Sequence, residues 1–274
     1  MISRLANPAR FMRLSGKVLP WLGASVVVVL VAGLSLALLS FIPEGEAQGQ
    51  AQRDTARIMF VHVPAAWLAM QTYFFIAVAS AVALVWRHAL AEIAAQAAAP
   101  IGAAFTLVCL ITGSLWGQPV WNTWWAWDVR LTAVLMLFFL YLGYIALVNA
   151  FDDPSRGARA GSLLAVVGVV ILPIIKFSVE RWWWRFFDSG TSGDLLMAKT
   201  LHQPASIGLS GSKLPSSMLT ALLVMTAGFT LLFAWLLLLR MRTMLNERKA
   251  RALRLARPEP RAPGAIPEAG AVLR

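Results

Sequence analysis

Trp116-Gly117-Gln118-Pro119-Val120-Trp121-Asn122-Thr123-Trp124-Trp125-Ala126-Trp127-Asp128 lies between two apolar runs, residues 99–115 and 131–150. Each run comes close to the roughly 20 residues that an α-helix needs to cross a bilayer. The segment between them therefore sits where a membrane meets water. It gathers five tryptophans and one carboxylate in thirteen residues. Indole rings offer large flat faces that stack on a planar aromatic ligand, and a flat ligand at a membrane edge points to a porphyrin. The competing reading is an ordinary aromatic belt, because Trp is enriched at bilayer interfaces. A belt scatters one or two aromatics per helix end, so the density here favours a ligand platform.

The rest of the chain agrees with a membrane setting. Of its 274 residues 59% are hydrophobic and only 14% charged, against about one-quarter charged in soluble domains. Six spans are expected, near residues 18–42, 64–86, 99–115, 131–150, 162–178 and 216–239. The expected fold is an all-α integral membrane protein, one six-span domain over residues 1–250. Residues 251–274, rich in Arg, Ala and Pro, lack a hydrophobic period and read as a disordered tail drawn to anionic lipid headgroups. The net charge of +11 does not signal nucleic acid, since the charges flank the spans. The single Cys109 lies inside an apolar run and has no disulfide partner. No Cys-x-x-Cys-His motif occurs, which excludes c-type haem attachment.

Charge distribution sets the orientation. Arg4, Arg10, Arg13 and Lys17 precede the first span, Arg87 and His88 follow the second, and Arg156 and Arg159 follow the fourth. Eight basic residues from Arg240 to Arg261 follow the sixth. The positive-inside rule places both termini in the cytoplasm and the tryptophan segment on the outer face.

Two of the three histidines share a pattern on that outer side: His62-Val63-Pro64-Ala65 opens span two and His202-Gln203-Pro204-Ala205 precedes span six. Proline favours the first helical position, so each His is expected just before a helix start. A helix N-terminus disfavours positive charge and keeps the imidazole neutral, the form that binds a metal. Two such groups, one on each face of a flat ring, make a bis-imidazole haem site. Each alone also reads as a helix cap. His88, beside Arg87, reads as a solvated flank. Arg57 and Arg130 near the platform suit the propionates of a haem. Asp128 is expected to orient an indole N–H or the Arg130 guanidinium, or to form with it a surface pair that marks the membrane edge.

At these residues the chain resembles the CcmC family of cytochrome c maturation. The carriers are the tryptophan segment, Arg57 through Ala66, Leu172-Pro173-Ile174-Ile175, Phe177-Ser178-Val179-Glu180 and Thr200-Leu201-His202-Gln203. Trp124-Trp125-Ala126-Trp127-Asp128 matches the signature of the WWD superfamily, which also includes CcmF and CcsA; six spans and short loops favour CcmC. The resemblance covers roughly residues 1–250. It implies a non-covalent haem b held at the periplasmic face of the bacterial inner membrane, with His62 and His202 on the iron. It implies a platform of Trp116, Trp121, Trp124, Trp125 and Trp127 with Asp128. The haem would pass to the haem chaperone CcmE, with the ABC-type subunits CcmA and CcmB and the small single-span CcmD as further partners.

Two departures stand out. Asn122 occupies a position where the family usually has glycine. Arg181 through Lys199, including Trp182-Trp183-Trp184, intervene where the family runs almost directly to its Thr-Leu-His-Gln motif. That tract reads as an added hydrophobic wall, a partner-binding surface or a tolerated loop insertion. Three functions compete: haem presentation with transferase-like action, a haem-exporting permease, and a structural subunit of an assembly complex. No nucleophile, metal-hydrolase or nucleotide-binding motif is present. A permease should show polar or broken helices at mid-membrane; the span centres are nearly free of charge, which favours presentation.

Overall fold

The computed structural model describes residues 7–40, 55–178, 207–208, 211–212 and 214–256. They form α1 (Pro8–Leu39), α2 (Met59–Trp86), α3 (Ala89–Trp121), α4 (Val129–Asn149), α5 (Pro154–Gly168), α6 (Ile171–Phe177) and α7 (Ser216–Leu255). A pair of two-residue strands, β1 (Ile207–Gly208) and β2 (Gly211–Ser212), runs antiparallel ahead of α7. Six units are long and apolar enough to cross a membrane: α1, α2, α3, α4, the pair α5–α6 over Pro154–Phe177, and α7. The chain is a multi-pass membrane protein whose described spans are all helical.

Local chemistry explains the helix ends. Asn7 caps α1 by accepting from Ala9 N at 2.9 Å, and Pro8 stands at the first helical position, where its missing N–H costs nothing. Asp153 and Pro154 repeat the arrangement at α5, with Ser155 N donating to Asp153 Oδ1 at 2.8 Å. Between α2 and α3 the turn is two residues long: Arg87 takes a left-handed conformation at φ 50°, and His88 caps α3, its Nδ1 accepting from Ala91 N at 3.2 Å. His88 is therefore a cap rather than the solvated flank expected from sequence. The break between α5 and α6 has a cause in Pro173, which cannot donate to Val169 and crowds its carbonyl. Gly168 beside it ends α5.

α3 is the central span, 67% of its apolar window buried against 17% for α1. Its alanines allow α2 to pack closely, and Tyr73, Tyr141 and Tyr144 fill the space between α2, α3 and α4. Tyr141 Oη donates to the carbonyl of Ala69 at 2.6 Å, which satisfies a phenol that the apolar core would otherwise penalise. The outermost pair is α1 with α7. Gly16 faces Arg242, Gly23 faces Trp235 and Gly33 faces Met225, an inverse register that only antiparallel helices produce. Small residues let the two backbones approach, as is usual between helices in lipid.

Several spans are longer than expected. α1 starts at Pro8 rather than 18, α3 runs from Ala89 to Trp121 rather than 99–115, and α7 continues to Leu255. The last extension makes residues 251–255 helical, against the expected irregular tail; residues 257–274 lie outside the described residues.

Candidate functional site

With six crossings, one end of the bundle collects the end of α1, the starts of α2, α4 and α7, and the ends of α3 and α6. This end carries the residues singled out by the sequence. The tryptophan segment is split by its backbone. Trp116 and Trp121 ride the last turns of α3, whereas Trp124, Trp125 and Trp127 lie in the short link to α4. Asn122 ends α3 at φ 56°, ψ 29°, the left-handed conformation that favours glycine and that asparagine tolerates best among other residues. The link is then pinned by Thr123, whose hydroxyl donates to the Trp125 carbonyl at 2.9 Å.

Within the link, Trp125 and Trp127 meet edge to face, centroids 5.7 Å apart and planes at 77°. Trp124 and Trp127 are exposed, at 60% and 77%. Trp125 is turned inward, and its Nε1 is buried without a hydrogen-bond partner among the described residues. A buried N–H in that state costs about 1–3 kcal/mol.

Asp128 is 3% exposed and caps α4, its Oδ1 accepting from Leu131 N at 2.7 Å. Sequence reasoning assigned it to an indole or to Arg130 and missed this cap. The signal was present, since Asp ahead of an apolar run is a helix-start pattern. Arg130 Nη2 donates to the carbonyl of Lys176 at 3.2 Å, tying the start of α4 to the end of α6. Arg57 Nη1 donates to the carbonyls of Ala37 at 2.8 Å and Leu38 at 2.5 Å, closing the C-terminus of α1. Guanidinium at a helix C-terminus satisfies orphan carbonyls and suits the dipole there. Among the described residues this end of the bundle holds Arg57, Arg130 and Lys176 against Asp128, a surplus of positive charge.

His62 lies in the first turn of α2, its N–H bonded to the Ile58 carbonyl at 2.8 Å. This corrects the expectation of a histidine ahead of the helix: residues 55–58 already form turns, so Pro64 stands inside α2 rather than at its first position. The half-buried ring is held by one face of α3. Its Nδ1 is 3.0 Å from Thr112 Oγ1, and Trp116 meets it edge to face at 5.8 Å and 78°. Thr112 and Trp116 are four residues apart, on the same face of a helix. A Cβ on Gly113 would stand 3.1 Å from His62 Cε1. Thr112 and Gly113 were missed from sequence, because their role depends on the register of α2 against α3. His202, and the tract from Arg181 to Lys199, lie outside the described residues.

The family model described as "Heme exporter protein C" (CcmC) matches residues 1–256. The chain belongs to the CcmC family. A protein named heme exporter protein C from Bradyrhizobium diazoefficiens is 51% identical over 252 residues, covering 92% of this chain and 88% of that one. Those of Paracoccus denitrificans and Escherichia coli are 41% and 42% identical, over 90% and 89% of this chain and 95% and 90% of their own lengths. CcmC membership therefore spans all the described helices, and the aromatic end of the bundle lies within the matched residues.

Proposed function

We propose that this CcmC-family chain binds haem non-covalently at the outer face of the bacterial inner membrane and delivers it to the haem chaperone CcmE for cytochrome c maturation. The observation that carries this reading is the meeting of His62 with Trp116 on α3, at the bundle end that also holds the open tryptophan link. The residues there fit the group. Trp124 and Trp127 expose indole faces to a planar ring. The buried Trp125 N–H lacks an acceptor among the described residues. Arg57 and Arg130 supply positive charge for propionates. His62 supplies one imidazole, and His202 is assigned the second by the shared His-x-Pro-Ala pattern.

The roles follow from residue chemistry. The two imidazoles would hold the iron and the tryptophans of residues 116–127 would cover the ring, while Asp128 fixes the link by capping α4. The bound haem supplies a redox-active iron centre and a reactive porphyrin periphery for the receiving protein. Partners are the ABC-type subunits CcmA and CcmB and the single-span CcmD, and both termini lie in the cytoplasm. The permease alternative is less well supported: α3, central to the bundle, is packed with alanines against α2 and α4, and the middle of that helix carries no charged residue.

The test is the optical spectrum of the purified protein. Wild type should show a six-coordinate low-spin haem. The triple variant Trp124→Ala, Trp125→Ala, Trp127→Ala should insert normally and lose most of its haem, and unchanged haem content would return the segment to an aromatic belt. His62→Ala and His202→Ala should each abolish the low-spin spectrum, while His88→Ala, at the opposite bundle end, should leave it intact. A colourless wild-type protein would favour the structural-subunit reading.

A further inference from the structure

We propose that Thr112 is a positioning residue that sets the tautomer of His62, presenting Nε2 as the metal-binding nitrogen. The ligand half of this statement rests on the proposed function; the tautomer half rests on the geometry alone.

Thr112 Oγ1 lies 2.6 Å from the carbonyl oxygen of Val108, one helical turn back, and 3.0 Å from His62 Nδ1. The hydroxyl has one proton and can donate once. Two oxygens 2.6 Å apart need that proton between them, since otherwise their lone pairs would face each other inside normal contact distance. Donation to the Val108 carbonyl leaves Oγ1 only lone pairs toward the histidine. His62 Nδ1 must then carry the hydrogen, and in the neutral ring the lone pair falls to Nε2. Metal-ligating histidines are usually held this way, with the second ring nitrogen donating to a fixed acceptor.

The ring is fixed in orientation as well as in protonation. Trp116 presses edge to face on it, and Gly113 offers no Cβ to push it away. Thr112, Gly113 and Trp116 all lie on α3, whose last turn leads into the tryptophan link. One helix therefore orients the histidine and positions the start of the platform.

Nitrogen NMR of the ligand-free protein, labelled at its three histidines and assigned through His→Ala variants, tests the tautomer. Wild-type His62 should carry its proton on Nδ1. Thr112→Val, which keeps the shape and removes the acceptor, should shift His62 toward the Nε2–H form, and Thr112→Ser should restore the wild-type pattern. A wild-type His62 already protonated on Nε2, or a Thr112→Val variant with unchanged tautomer, overturns the proposal. In haem-loaded protein, Thr112→Val should weaken haem retention by about tenfold and raise the iron midpoint potential, because an imidazole without its acceptor is a poorer donor. Thr112→Ser should reverse both effects. If His62→Ala leaves the low-spin spectrum untouched, the ligand half is overturned, while the tautomer measurement still decides the geometric half.

Discussion

Asp128 belongs to the family signature, and the structure also gives its carboxylate a bond to the first turn of α4. A cap requires an acceptor oxygen, not a charge, so the two roles separate on substitution. Asp128→Asn should preserve the cap and most of the haem content. Asp128→Ala should cost about 0.5–2 kcal/mol of stability and loosen the link, measured as a lower melting temperature in detergent with reduced haem. Equal haem loss in both variants would instead point to the negative charge. Asn122 offers a second test at this scale. Asn122→Gly should be tolerated or mildly stabilising, whereas Asn122→Val places a β-branched residue at φ 56° and should cost about 1–2 kcal/mol, read from the same melting curves. The tryptophan segment, His62, Arg57 and Arg130 stood out in the sequence because their chemistry is unusual at a membrane edge, and the structure gathers them at one end of the bundle. Thr112 and Gly113 did not stand out, because a threonine near the end of an apolar run has many uses and only the pairing of α2 with α3 selects one.

At the scale of elements, the number of spans was readable from hydropathy and their ends were not. Hydropathy reports which residues suit hydrocarbon, whereas a helix continues wherever its residues favour it. The Ala-rich start of α3 from Ala89 and the Arg- and Leu-rich end of α7 at Arg240–Leu255 extend their helices past the apolar windows for this reason. The hairpin between α4 and α5 gives a sharper prediction. A Cβ on Gly157 would run into the backbone carbonyl oxygen of Val148, which no rotamer change relieves. Gly157→Ala should therefore destabilise the protein by about 1–3 kcal/mol, and an unchanged melting temperature would mean that the hairpin opens freely. Next to it, hydrogen bonds from Ser155 hold the Asp153 carboxyl below its ordinary 3.8. A folded-state pKa below the unfolded one means that the extra stability specific to the charged carboxylate is complete at higher pH and fades as pH falls through the lowered value. The difference in melting temperature between wild type and Asp153→Asn should accordingly shrink below about pH 4.

Across the whole molecule, the 40 residues of α7 make a rod roughly 60 Å long, about twice the roughly 30 Å hydrocarbon core. A helix of that length must outrun the hydrocarbon, and its charged part from Arg240 onward is linked to the start of α3 by the 2.7 Å pair of Arg248 with Glu92. Our orientation assigns that part to the cytoplasm. A reporter active only in the periplasm should be silent when fused after Leu255 and active when inserted in residues 181–199; activity after Leu255 would reverse the topology.

The antiparallel seam of α1 and α7 has a consequence for how the chain is made. α1 leaves the ribosome well before its main partner, α7. Roughly 180 residues separate them, so at about 5–20 residues per second α1 waits some 10–35 s with its glycine face against lipid. During that interval the exposed face should make α1 open to membrane proteolysis, which pairing with α7 would end. A nascent chain stopped before Ser216 should be degraded faster than one stopped after Leu255, and α7 supplied as a separate polypeptide should protect it.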